Sequence, residues 1–342
     1  MYQGELEEFL GTLGQPRFRA KQIFKWLHSG VCDFDEMTDI PKALRETLKE
    51  KCYIADVKIV KRFASRIDDT VKYLYSLYDG EYIESVLMKY NHGYTVCVST
   101  QVGCRMGCSF CASGINGLSR NLTASESLSQ IMAAERDNNI RVSNVVMMGM
   151  GEPLDNFDNS VRFLKLVSDD NGMNIGLRHI SLSTSGVVSG IYKLAELSLP
   201  ITLSVSLHAP NDELRSSIMP VNKKWNIDAL LKACRDYQKI TTRRISFEYA
   251  LISGVTDTDE CAIELARRLK GIMSHINLIP VNPVVENSYK KPDRNRILHF
   301  KELLEAKGVT ATVRRTLGSD INASCGQLRR NAKEGDKNAD IQ

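Results

Sequence analysis

Long hydrophobic runs are missing from this 342-residue chain: no apolar stretch approaches the roughly 20 residues that a membrane-spanning helix needs. No secretory leader is expected either, since Met1-Tyr2-Gln3-Gly4-Glu5-Leu6-Glu7-Glu8 is acidic and polar. No internal repeat or low-complexity tract occurs, so the chain is not a repeat array. Charge of one sign is scarce in balance: 45 Lys and Arg against 41 Asp and Glu leave +4, which selects no partner by itself. The nine cysteines are odd in number and not spaced like a secreted disulfide framework. A protein of the reducing cytoplasm, without membrane contact, is expected.

What is present is ordinary in bulk and uneven in detail. Hydrophobic content of 43% and charged content of 25% suit a globular protein. The length allows one large α/β domain of about 250 residues and a smaller unit. Arg17, Arg19, Lys21 and Lys25 cluster near one end, and Arg314, Arg315, Arg329, Arg330 and Lys333 near the other. Basic clusters flanking a core point towards a polyanionic substrate, although each alone reads as a solvated helix face.

Residues 1–80 read as a mainly helical accessory domain ending in a hairpin. Ile23, Trp26 and Leu27 share one helical face with basic residues outside it, and a second helix follows Pro41. Two strands, 71–78 and 82–89, flank an Asp79-Gly80 turn. From Tyr94 the pattern becomes strand–helix alternation, with strands expected at 94–99, 142–148, 179–183, 201–206, 245–252 and 275–279. Thr123-Ala124-Ser125-Glu126 is a capping box opening the first intervening helix. Helical patterns follow at 160–167, 191–197, 227–238, 260–270 and 294–306. The expectation is an α/β fold: a partial (β/α)6 barrel over residues 81–330, then a polar tail at 331–342.

Cys104, Cys108 and Cys111 form a C-x3-C-x2-C trio with Phe110 before the last thiol. Structural zinc usually takes four ligands, and Cys thiolates are also the usual holders of iron–sulfur clusters. Three thiols leave one iron of a four-iron cluster open; a buried thiol cluster or an incomplete zinc site is the plainer alternative. In a parallel array the loops leaving the C-terminal strand ends form the active face. The trio follows the first strand, Gly149-Met150-Gly151-Glu152-Pro153 the second and Ser183-Thr184-Ser185-Gly186 the third. Ser206-Leu207-His208 ends the fourth, and Asn282 follows the sixth. Any one could be turn chemistry, but together they make a cofactor pocket the better reading.

The trio with its aromatic resembles the signature of radical S-adenosylmethionine (SAM) enzymes. Joined to Met148-Gly149-Met150-Gly151-Glu152-Pro153-Leu154, Ser181-Leu182-Ser183-Thr184-Ser185-Gly186 and Asp320-Ile321-Asn322-Ala323-Ser324-Cys325-Gly326-Gln327-Leu328, it makes nearly the whole chain similar to the RlmN/Cfr family of adenine methyltransferases. The resemblance implies a radical SAM barrel in which Cys104, Cys108 and Cys111 hold one 4Fe–4S cluster. Gly151, Glu152, Ser183, Ser206, Leu207, His208 and Asn282 would bind SAM, used twice per turnover. Cys325 would carry the methyl group, Cys97 would resolve the covalent RNA adduct through a transient disulfide, and Glu84 would take the ring proton. By residue type alone, Cys97 reads as a packed core thiol and Glu84 as a solvent-facing strand carboxylate. Cys325 lies in a loop-like setting that favours reactivity, whereas Cys32, Cys52, Cys234 and Cys261 are given no catalytic role.

The implied substrates are an adenine of 23S rRNA and tRNA, contacted partly by the N-terminal unit, with a low-potential electron donor such as flavodoxin. Pro153 and Ser185 are closer to the C2-methylating branch than to the C8-methylating, antibiotic-resistance branch. A non-catalytic iron–sulfur RNA-binding protein is the alternative of a different class, and the joint presence of Glu84, Cys97 and Cys325 speaks against it.

Overall fold

The computed structural model describes residues 1–284 and 286–328. The expected tail at 331–342, with Arg329, Arg330 and Lys333, lies outside the described residues. Three helices open the chain: α1 (Gln3–Thr12), α2 (Phe18–His28) and α3 (Lys42–Lys51). Helix α2 buries Ala20, Ile23 and Phe24, while Trp26 is half-buried and gives its indole N–H to Asp39 at 2.6 Å. Arg17, Lys21 and Lys25 stay exposed on its other side.

Strands β1 (Lys58–Ala64), β2 (Val71–Ser76), β3 (Tyr82–Tyr90) and β4 (Gly93–Cys97) run antiparallel in that order. The short strands β5 (Gln101–Gly103) and β6 (Leu118–Asn121) form a separate ribbon whose connecting loop carries the cysteine trio. Strand–helix alternation follows through α4 (Ala124–Asn138), β7 (Val142–Met147), α5 (Phe157–Val167), β8 (Ile180–Thr184) and α6 (Val188–Glu196). It continues with β9 (Thr202–Ser206), α7 (Asp212–Ile218), α8 (Ile227–Thr241) and β10 (Ile245–Leu251). The last units are α9 (Asp259–Leu269), β11 (Ser274–Pro280), α10 (Arg294–Ala306) and β12 (Ala311–Val313). One ten-stranded sheet has the order β1-β2-β3-β4-β7-β8-β9-β10-β11-β12, parallel from β4 onwards.

The six expected parallel strands are present, and β12 adds a seventh at the edge. A division at residue 80 falls at the tip of the β2–β3 hairpin, whose strands belong to the same sheet as the barrel. One apolar core runs from Leu10 and Phe24 in the first helices to Phe300 and Leu304 in α10. The helices start where side chains satisfy their first N–H groups: Thr123, Asn211, Asn226, Thr258 and Asp293 each cap one. At Thr123 the expected capping box is complete, with Glu126 returning to the Thr123 N–H at 2.9 Å.

Strand period decides what faces the barrel centre. Residues directly opposite one another share a face, so the register aligns Lys72, Val86, Cys97, Val146, Ser181 and Thr202 in one inner row. Ser206, Glu248, Asn277 and Thr312 form another. The intervening residues, such as Leu182, Leu203, Phe247 and Leu278, are fully buried under the helices.

The end of β4 needs support because Ser99 leaves the ladder. Buried Gln130 of α4 supplies it, donating to the Ser99 carbonyl at 2.9 Å and accepting from the Ser99 N–H at 2.8 Å. Gln130→Leu should destabilise the fold by about 2–5 kcal/mol, because both backbone groups then stay buried and unpaired. Urea unfolding monitored by circular dichroism checks this; a loss under about 0.5 kcal/mol would show that the clamp is dispensable.

Candidate active site

All the expected site residues except Leu207, Cys97 and Glu84 line one cavity of about 160 Å³ at the C-terminal ends of the parallel strands. Its walls are backbone brought very close. A Cβ at Gly149 would lie 2.6 Å from the Val98 carbonyl oxygen, so β7 leaves the sheet directly against β4. Gly151 has φ +103° and would put a Cβ 2.6 Å from Gln101, which makes glycine necessary there on two grounds.

Glu152 is 3% exposed, with Oε1 accepting from Leu154 N at 3.0 Å and Oε2 from Ser185 N at 2.6 Å. Burial raises its pKa, and these backbone donors oppose the shift. Each oxygen keeps a second lone pair for a donor such as an amino group. His208 has φ +58° and accepts from Ala250 N through Nδ1 at 2.9 Å, which leaves the proton on Nε2. Burial lowers its pKa to about 3, so the ring is neutral, and Phe110 of the cysteine loop meets it edge-on at 4.8 Å.

Leu207 lies outside the cavity wall, and its backbone is fastened from behind. Its carbonyl accepts Arg215 Nε at 3.0 Å, and the same guanidinium donates to Ser206 O at 3.0 Å, Ser185 O at 2.6 Å and Asn222 Oδ1 at 2.9 Å. Arg215 is fully buried, burial lowers its pKa to about 10, and no carboxylate pairs with it among the described residues. One side chain thus fastens the ends of β8 and β9 to the turn after α7. Sequence reading missed it, since Asp212, Glu213 and Arg215 look like a solvated helix face.

The Cys325 segment closes over the cavity. Asn282 donates to the Cys325 carbonyl at 3.0 Å, Ala112 N to the Gly326 carbonyl at 2.7 Å, and Gln327 Nε2 to the Pro283 carbonyl at 3.0 Å. Arg314, grouped by sequence with an outer basic cluster, instead lines the cavity, while Arg315 remains exposed. The alternation of β12 turns it inward beside Glu248, whose Oε2 has no hydrogen bond and lies 3.9 Å from Arg314 Nη1. Glu248 Oε1 is held by Ser246 and Asn277 at 3.1 and 3.0 Å. The neighbours Cys325, first, and Glu248 raise the Arg314 pKa against the effect of burial.

Cys97 sits behind this wall, 7% exposed, and burial pushes its thiol up to about 12, with Cys325 adding and Arg314 opposing. Both cysteines are free thiols, so no disulfide joins them. Glu84 is not solvent-facing: it is 7% exposed and pairs with buried Lys72 of β2 at 3.1 Å.

The trio's chemistry fits a cluster better than a single ion. All three thiols meet one cavity, yet no three His, Cys, Asp or Glu among the described residues are arranged to hold one metal ion. Burial raises all three pKa values, that of Cys104 to about 12, and a coordinating cationic centre overcomes such a shift by binding the thiolates. A second cavity, about 290 Å³ between the first helices and α4, contains none of the expected residues.

A parallel barrel with three thiols on the loop after its first strand defines a radical SAM protein, and residues 98–267 match the Radical SAM superfamily. Residues 1–54 match the Ribosomal RNA large subunit methyltransferase N-terminal domain. The chain is 56% identical to the probable dual-specificity RNA methyltransferase RlmN of Alkaliphilus oremlandii over 95% of both chains. It is 52% identical to that of Clostridium novyi over 96% of both. A radical SAM methyltransferase from Sphaerobacter thermophilus superposes with a TM-score of 0.93 at 46% identity, covering 96% of this chain and 98% of the other. The chain therefore belongs to the RlmN family of radical SAM methyltransferases, whose cofactors are a 4Fe–4S cluster and SAM.

Arg215→Met should cost at least about 3 kcal/mol of stability, since several buried carbonyls lose a charged donor at once. Arg215→Lys keeps the charge without the planar fork, so SAM affinity should fall more than stability. Urea unfolding and SAM titration check the pair; a methionine variant as stable as the parent would remove the clamp from the account.

Proposed function

We propose that the protein methylates C2 of an adenine in 23S rRNA and in tRNA, consuming two SAM per turnover and carrying the methyl group on Cys325. The observation that supports this reading most is the Cys325 segment, tied by Asn282 and Ala112 across the cavity that the cysteine trio lines. The names of the relatives agree with RNA as substrate. Among the described residues no helix is long and apolar enough to cross a membrane, and the reading places the enzyme in the cytoplasm with a low-potential donor such as flavodoxin.

Adenine C2 is electron-poor and cannot attack a methyl sulfonium, so the methyl must first be placed on a nucleophile. Cys325 is that nucleophile: its thiolate displaces the methyl group from SAM and becomes a thioether. Cys104, Cys108 and Cys111 would hold the cluster, with Gly151, Glu152, Ser183, Ser206, Leu207, His208 and Asn282 around SAM. When bound, these cofactors supply the one-electron cleavage of a second SAM that activates the thioether methyl for addition to the ring. Glu84 then accepts the C2 proton, with Lys72 beside it as counter-charge. Cys97, once deprotonated, attacks the Cys325 sulfur, and the bond from that sulfur to the transferred carbon breaks with its electron pair left on the carbon. That carbon takes a proton to become the methyl group, the adduct's unpaired electron would return to the cluster, and a transient Cys97–Cys325 disulfide remains for reduction.

Cys325→Ala should form neither methylated protein nor an RNA adduct. Cys97→Ala should still become methylated and should accumulate covalently bound RNA, seen as an RNase-sensitive slow band on a denaturing gel. Normal turnover by Cys97→Ala, or an adduct in the Cys97→Ala/Cys325→Ala double variant, would refute the assigned roles. Separately, alanine at Cys104, Cys108 or Cys111 should abolish the cluster absorbance and reductive SAM cleavage; a full 4Fe–4S spectrum in all three variants would remove the trio as its ligands.

A further inference from the structure

Tyr53 and Tyr78 are 64% and 83% exposed, and their rings stack with centroids 4.9 Å apart and planes inclined by 18°. Each ring stacks on the other while most of both side chains stays open to solvent, and Tyr53 also borders the cavity between the first helices and α4. Tyr78 belongs to the turn between β2 and β3. Strand β3 runs antiparallel to β4, with Val86 opposite Cys97, so this turn projects at the end of the sheet where the cysteine loop begins. It is fixed there. Arg120 of β6 pairs with Asp79 at 2.6 Å, and Ser119 donates to Glu81 at 2.6 Å. Those two residues lie on the return strand of the ribbon that carries the trio. Tyr53 follows α3 at the end of the N-terminal unit, so the pair spans that unit and the rim of the site.

We propose that Tyr53 and Tyr78 form a stacking platform for an unpaired base of the RNA substrate, beside the adenine that enters the cavity. This deepens the RNA-methyltransferase reading above and rests on it. Adenine C2 cannot be reached while the base is stacked in a helix, so the target must be unstacked and its neighbours lose their usual stacking partners. Aromatic faces replace that lost stacking, and they do so for any base. Sequence tolerance suits an enzyme that must accept two different RNAs. The position favours RNA over a protein partner: Tyr53 lies at the end of the segment that matches the ribosomal RNA methyltransferase N-terminal domain, and Tyr78 sits on the turn tied to the ribbon that carries the cysteine trio. Arg120 is held by Asp79 and Glu126, the latter at 2.8 Å, so the platform contributes stacking and not a phosphate contact.

The test uses cluster-loaded, full-length protein and a short RNA hairpin whose loop carries adenosine flanked by 2-aminopurine. Tyr78→Ala and Tyr53→Ala should each weaken RNA binding by roughly 5- to 100-fold. The slope of log Kd against log salt should not change, because no phosphate contact is lost. SAM cleavage without RNA and the melting temperature should match the parent, while Tyr78→Phe should keep both affinity and 2-aminopurine quenching. RNA affinity within twofold of the parent in both alanine variants overturns the platform and leaves the pair to a protein partner. A reduced salt slope also overturns it, since the pair would then act through charge. Failure of the parent protein to bind or methylate any RNA would instead overturn the function reading, so the two failures are separable.

Discussion

The fold depends on an inner sheet face that its own side chains do not fill. From β4 to β12 the strands place apolar residues outwards under the helices and small or polar residues inwards. Ser181, Thr202, Ser204, Ser246 and Asn277 line a cavity of about 630 Å³ in the lower part of the barrel. It shares Met148, Glu248 and Arg314 with the upper cavity at the strand ends. A closed barrel usually packs its centre with branched apolar side chains. Here the sheet is open, the centre stays polar, and stability falls to the helix-facing rows and the continuous core beneath them.

A centre lined by polar side chains rather than packed apolar ones can position loops only if each is fastened individually. The fasteners are a few buried or half-buried polar side chains acting on backbone: Gln130 on Ser99, Arg215 on Ser185, Ser206 and Leu207, and Asn282 on Cys325. Asn156 joins them, donating to the Thr100 and Leu122 carbonyls at 2.8 and 2.7 Å. Each replaces a missing sheet or helix hydrogen bond at the point where a strand ends. The arrangement explains why the Glu152 carboxylate, the Ser183 and Ser206 hydroxyls and the Cys325 segment share one rim although they come from different loops.

Much of this was legible in the chain. The six parallel strands could be read because a cavity-facing row alternates polar with apolar residues, as in Ile245-Ser246-Phe247-Glu248-Tyr249. Strand β12 has three residues, and β5 and β6 have three and four, too few for any period to show. Strand β1 is an exposed edge with a register shift between Ile59 and Lys61, so its apolar pattern is broken. Site residues at strand ends were accessible to the rule that loops after parallel strands carry function. Arg215, Arg314, Glu248 and Lys72 were not, because a charged side chain carries no local mark of burial. What buries them is the pairing of distant strands and the packing of α7, which sequence spacing does not encode.

The antiparallel extension accounts for the placement of the remaining groups. Had β4 been the sheet edge, Cys97 would present a thiol to solvent and to chance oxidation. Strands β2 and β3 instead continue the inner face past β4, placing Lys72 and Val86 in the row of Cys97, with Glu84 one pleat further towards the site. Burial then keeps the Cys97 thiol protonated, while Cys325 comes from a segment with a different anchor, the β11 end through Asn282. In the cycle we propose, the two thiols that react once per turnover are thus carried by separate elements, one rigid in the sheet and one in a loop. A sheet strand cannot move without breaking its ladder, whereas the Cys325 loop is held by a handful of hydrogen bonds. If either thiol travels between steps, the physical asymmetry assigns the movement to the Cys325 loop.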